Sequence, residues 1–131
     1  MGVGGEVPVR PQKTGSFKDL VVWQQAMDLA VAIYEETKRW PKEESYGLTS
    51  QVRRAATSIP SNIAEGYGRE TRGAYLQFLR VAQGSLKELE SQLLISQRTS
   101  VAPNGTVDPL LERVESVGKL LRLLLRKLEQ A

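Results

Sequence analysis

The amino-acid sequence predicts an all-α protein, an antiparallel up-down four-helix bundle whose second helix is kinked at Pro60. Two observations carry this. Apolar residues recur at alternating spacings of three and four along several long segments, which is helical periodicity. Nowhere does a β-branched run with period two sit between turn signals. The links between the segments are also short, which favours antiparallel neighbours. At 131 residues the chain suits one domain, large enough to bury roughly two-thirds of its unfolded surface without a covalent staple.

The elements follow in order. Residues 1–16 hold four of the eleven glycines and two prolines and read as a flexible tail, made slightly basic by Arg10 and Lys13. The bundle domain then occupies 17–131. Helix 1 is expected from Ser16 to Trp40, with Ser16 and Asp19 in capping-box positions and Pro41 as the stop. It carries two apolar lines: Leu20, Trp23, Met27, Ala30 and Tyr34, and beside them Val22, Ala26, Leu29 and Ile33. Helix 2 is expected from Leu48 or Thr49 to Gly66 or Gly68, with Val52, Ala56, Ile59, Ile63 and Tyr67 inward. Pro60 lacks an N–H and crowds the Ala56 carbonyl, so a kink or break is expected there. Helix 3 is expected over 71–99 with Tyr75, Leu79, Ala82, Leu86, Leu89 and Leu93 inward. Gly84-Ser85 inside it suggests close approach of another helix. Residues 100–107 are turn formers. Helix 4 is expected to start with Asp108 as N-cap and Pro109 at N1. Its inward line is Leu110, Val114, Val117, Leu121, Leu124 and Leu128.

Composition removes several chemistries. The chain has no cysteine and no histidine. Disulfides, thiol nucleophiles, Ser-His-Asp systems, and imidazole or thiolate metal sites are therefore outside its means. The Glu-x-x-His ligand pattern of di-iron bundles is missing too. No Gly-Lys-Ser/Thr phosphate loop follows the Gly-rich start. No cofactor is expected, and the chain is not expected to be an enzyme. Glu65 and Glu88 could serve as paired carboxylates only if they converge. No apolar run reaches membrane-span length and the start lacks a signal-peptide pattern, so a cytoplasmic location with no membrane partner is expected. The net charge of +3 permits nucleic-acid binding without demanding it.

Helix 2 is unusually polar for a bundle element. Arg54, Ser58, Ser61 and Glu65 form one stripe opposite the core line, flanked by Arg53 and Asn62. Arg69, Arg72 and Arg80 follow. Two readings are open. In one, Arg53, Arg54, Asn62, Glu65, Arg69 and Arg72 meet RNA phosphates or an acidic partner, because arginine's planar fork pairs two oxygens at once. In the other, Arg54 and Glu65 are intra-bundle or inter-subunit ion pairs, and Ser58, Ser61 and Asn62 serve the groups freed by Pro60. Leucines off the core lines, Leu123 on helix 4 and Leu76 and Leu94 on helix 3, mark a subunit interface, so a homo-oligomer is expected. Lys119, Arg122 and Arg126 near the end of helix 4 are accounted for by the helix dipole.

Four stretches carry a family resemblance: Phe17-Lys18-Asp19-Leu20-Val21-Val22-Trp23-Gln24, Tyr46-Gly47-Leu48-Thr49-Ser50-Gln51-Val52-Arg53-Arg54-Ala55-Ala56, Ser58-Ile59-Pro60-Ser61-Asn62-Ile63-Ala64-Glu65-Gly66 and Ala82-Gln83-Gly84-Ser85-Leu86-Lys87-Glu88-Leu89. The chain resembles, over roughly residues 17–128, the bacterial four-helix-bundle proteins named after open reading frames in 23S rRNA intervening sequences. The resemblance implies a four-helix bundle and a ring of five subunits. Related bundles are accessory proteins of diversity-generating retroelements, which bind the reverse transcriptase and nucleic acid. The expectation is therefore a non-catalytic oligomeric binding module for RNA or a nucleic-acid enzyme. The alternative is a scaffolding homo-oligomer whose partner is another protein.

Overall fold

The structure, a computed structural model, describes residues 15–130. Most of the expected tail, and Ala131, lie outside the described residues. Four helices follow one another: α1 Val21–Thr37, α2 Leu48–Tyr67, α3 Arg72–Arg98 and α4 Asp108–Gln130. Single turns of 3-10 helix precede α1 (Phe17–Asp19) and α2 (Lys42–Glu44). Each helix runs antiparallel to the next. The end of α1 meets the start of α2 where the Arg53 Nε donates to Thr37 Oγ1 at 2.8 Å. The α3 and α4 helices run oppositely, with Arg80 bonded to Glu129 and Gln97 to Asp108. Helices α1 and α4 close the square.

The core is where the periodicity placed it, with two shifts. All the inward positions expected on α2 and α3 are buried. On α1 only one of the two lines goes inside. Val22, Ala26, Leu29 and Ile33 are buried, joined by Ala30, while Leu20 and Trp23 are half-buried and Met27 and Tyr34 are exposed. A bundle helix with two neighbours has room for one wide face, and α1 carries more apolar surface than that. On α4, Leu125 is buried in place of Leu124 and Leu128, which are half-buried and pack on the core margin. Each fully buried leucine or isoleucine contributes roughly 1.5–3 kcal/mol relative to exposure.

The ends explain the boundaries. Ser16 and Asp19 do form a reciprocal capping box, but it closes the short 3-10 turn. Leu20 is extended (φ −75°, ψ 124°), and α1 begins only after it. The bend lets Phe17 pack edge-on against Trp23, centroids 5.2 Å apart. At the other end α1 stops at Thr37, short of Trp40. The Trp40 indole N–H turns back to Glu36 Oε2 at 3.2 Å, giving buried Glu36 a donor, and Arg39 pairs with the same carboxylate. Thr71 caps α3, its hydroxyl accepting the Ala74 N–H at 3.2 Å. Asp108 is the first residue of α4 rather than its cap, and its carboxylate accepts from the Gln97 side chain across the loop.

Of two expectations about special residues, one is corrected. The α2 helix is continuous from Leu48 to Tyr67 through Pro60, whose ring is buried in the core. The glycine that permits close helix approach is Gly66, not Gly84. A Cβ on Gly66 would lie 2.9 Å from the Phe78 Cβ and 3.1 Å from a Tyr75 ring carbon, whereas Gly84 faces open space.

Candidate binding surfaces

The six polar residues expected to act together on and after α2 fall into two groups at opposite ends of the helix. Arg53 and Arg69 are sixteen residues apart, about 24 Å at roughly 1.5 Å per residue. No single site holds both.

At the first end Arg53 is a structural residue. Its guanidinium lies 4.6 Å over the Tyr34 ring and its Nε is spent on Thr37, whose own hydroxyl donates to the Ile33 carbonyl. This clamp pins the end of α1 to the start of α2. Arg54, one residue on, points outward and is exposed. It borders a small cleft of about 150 Å³ between α2 and α3 with Gln51, Ser58, Ser85 and Glu88. Ser58 and Ser85 share a hydrogen bond of 2.8 Å across that seam, and the Asn62 amide donates to the Ser58 carbonyl (2.8 Å) and hydroxyl (3.0 Å). The serine and asparagine thus join α2 to α3. They do not serve the carbonyl left over by Pro60, which belongs to Ala56, and Ser61 is exposed.

At the second end Glu65 and Arg69 form a loose pair at 4.0 Å, both well exposed. Arg69 also lies 4.5 Å over the Phe78 ring. Arg72 opens α3 half-buried, its Nη1 enclosed without a hydrogen-bond partner among the described residues. Within the bundle Arg54 has no ion pair among the described residues and Glu65 pairs only with Arg69, and both side chains are exposed. Glu65 and Glu88 do not converge either, since Glu88 borders the small cleft and Glu65 does not.

The apolar surface is distributed differently from expectation. Leu123 is 59% exposed and Leu94 40%, whereas Leu76 is half-buried against the core. The larger apolar surface is on α1. Val21, Met27, Val31 and Tyr34 are all exposed, and Met27, Val31 and Tyr34 form one continuous stripe with half-buried Leu20 and Trp23. The sequence signal for it was the Leu20, Trp23, Met27, Ala30 and Tyr34 line of helix 1, read as core; Val31 lay on neither line.

The α3 and α4 helices stand apart over an open groove of about 960 Å³. Arg80, Gln83 and Arg122 line one end and Glu90, Leu94, Leu111, Glu112 and Glu115 the other. Its floor is Gly118, where a Cβ would sit 3.4 Å from Leu86 and 3.5 Å from the Arg122 guanidinium. The α2–α3 seam holds Tyr75, whose phenol is pushed up to about 12 by burial and by neighbouring Tyr67.

Comparison with known proteins agrees with this architecture. The sequence profile of the 23S rRNA-intervening sequence proteins matches residues 18–123. A crystal structure from Bacteroides thetaiotaomicron, described as a protein of unknown function from the S23 ribosomal protein family, superposes with a TM-score of 0.72 at 23% identity. The likeness covers 80% of this chain and 98% of that one, and at this identity it speaks to the fold. No curated protein matches the chain. No described helix is long and apolar enough to cross a membrane.

Proposed function

The chain belongs to the 23S rRNA-intervening sequence protein family, and from that premise we propose that it is a non-catalytic binding module that works as a homo-oligomer, with nucleic acid as its partner. The observation that carries self-association is the apolar stripe on α1. A folded monomer rarely leaves several large apolar side chains exposed along one face. Here Met27, Val31 and Tyr34 lie in line beside half-buried Trp23. Burying that stripe against another copy removes it from water. The ring of five implied by the family resemblance is one assembly that does so.

Two features support nucleic acid over a protein-scaffolding role. In its intra-bundle form the scaffold reading needs Arg54 and Glu65 buried and paired, and both are exposed. The remaining surface carries a mild cationic excess, which suits phosphates. The lack of histidine and cysteine supports a role in binding rather than catalysis.

Sedimentation of the full chain over a dilution series tests the assembly. A mass several times 14.6 kDa is expected, falling toward the monomer in Met27→Glu/Val31→Glu. A monomer at all concentrations, with the wild-type sequence, overturns the homo-oligomer.

A further inference from the structure

Four unpaired cations crowd the second half of α4, whereas the other exposed cations without a carboxylate within 4 Å among the described residues, Lys18, Lys42, Arg54, Arg98 and Arg113, are scattered singly. Lys38, Arg39, Arg69, Arg80 and Lys87 each have a carboxylate within 4 Å, and Arg53 is held by Thr37 and Tyr34. Lys119, Arg122, Arg126 and Lys127 are exposed and have no such partner among the described residues. The single carboxylate in that half of the helix, Glu129, is occupied by Arg80 at 2.6 Å.

The helix dipole does not account for all four. Its effect falls off within the last turn. Lys127 lies in that turn, but Lys119 and Arg122 are two to three turns from the end of α4 at Gln130. Four unpaired like charges on adjacent turns also repel one another, so the arrangement costs stability in the isolated bundle.

The geometry points to a phosphate-backbone site for nucleic acid along the second half of α4, formed by Lys119, Arg122 and Arg126 with Lys127 at its border; this rests on the nucleic-acid reading above and locates it. The spacings of three and four put Lys119, Arg122 and Arg126 on one face, over about 10 Å at roughly 1.5 Å rise per residue. That is a row of charges, which suits successive phosphates along a strand. The arginine forks each grip two phosphate oxygens. Glu115, one turn before Lys119 on the same helix, and Glu112, two turns before it, repel phosphate and bound the site on that side. There is no aromatic residue on α4 for base stacking. The site therefore holds the backbone and reads no sequence. Of the α2 arginines, Arg53 is engaged internally and Arg54, exposed and without a carboxylate within 4 Å, stands singly rather than in a row.

The test is fluorescence anisotropy of the full chain with a labelled single-stranded RNA of mixed sequence, repeated over a KCl series. Wild-type affinity is expected to fall steeply with salt. Lys119→Glu/Arg122→Glu is expected to bind about tenfold or more weakly, with the log–log salt slope shallower by roughly two. Arg54→Glu is expected to bind like wild type. Circular dichroism checks folding, and Lys119→Gln/Arg122→Gln, which only removes charge, is expected to show an intermediate loss. The placement is overturned if the α4 variants bind like wild type, or if Arg54→Glu reproduces their loss. It is also overturned if they lose self-association together with RNA affinity, which makes the row a subunit contact. Vesicles of phosphatidylserine binding the wild type as tightly as RNA overturn it in favour of a lipid surface. Wild-type protein that binds no RNA at low salt overturns the nucleic-acid reading itself.

Discussion

The two seams made by α3 are opposites. Toward α2 it is closed: Gly66 lets the backbones approach, the Ser58 and Ser85 hydroxyls bond across, and Tyr67 and Tyr75 meet edge-on with centroids 6.2 Å apart. Toward α4 it is open: a groove of about 960 Å³, Gly84 facing empty space, and the unpaired Arg122 in its lining. The difference teaches that the same helix can specify the fold on one side and leave a surface on the other. Substitutions should follow that division.

The largest effect is expected at Gly66. A Cβ there collides with the Phe78 Cβ and the Tyr75 ring, neither of which is the free end of a flexible chain. Gly66→Ala is expected to cost about 1–3 kcal/mol, and Gly66→Leu more, by overpacking. Chemical denaturation reads this as a lower midpoint. An unchanged midpoint would mean that the closed seam is not closed.

Next comes the phenol at the same seam. Tyr75 titrates near 10 when unfolded and at about 12 when folded. The protonated form is the one the fold favours. Its contribution is fully present below about pH 10 and is lost as the pH rises from there through about 12. Denaturation at alkaline pH should show stability falling in that window, with a smaller fall in Tyr75→Phe.

Ser58→Ala should cost roughly 1 kcal/mol, because it strands the Ser85 hydroxyl, and Ser85→Ala less, because the Ser58 hydroxyl still accepts from the Asn62 amide. The double variant should cost less than the two summed, since both ends of the bond are then gone. Strict additivity would mean the hydroxyls are independent.

The smallest effect has the opposite sign. Gly84→Ala meets nothing within 4 Å and should stabilise the helix by about 0.5–1 kcal/mol. A destabilisation in the assembled protein would instead show that the open side of α3 is covered by a second copy.

Much of this was legible beforehand, and the misses have physical causes. Period alone identified the inward lines of α2 and α3, because a helix with neighbours on both sides buries one face completely. It failed on α1, where two apolar lines were present and only packing decides which goes inside. It failed at Gly84 and Gly66 for the same reason: a glycine in a helix signals close approach only if that face meets a neighbour, and helical phase relative to the partner is not written locally. The candidate site was less legible. Arg53 and Arg54 look equivalent in sequence, yet a rotation of one residue turns one into a clamp and the other into solvent. The residues around Arg69 could not be told from those around Arg53 until α2 was seen as one continuous element separating them. The α4 cations were visible as residues, but that they are unpaired depends on where Glu129 and Glu115 reach.

The most direct test of the division between a closed and an open side is to photocrosslink RNA containing 4-thiouridine to the full chain and map the modified peptides. Adducts are expected in the α4 peptides spanning residues 119–127, with the peptides of the α2–α3 seam unmodified. Adducts confined to the peptides around Arg53–Arg54 or Arg69–Arg72 would contradict it.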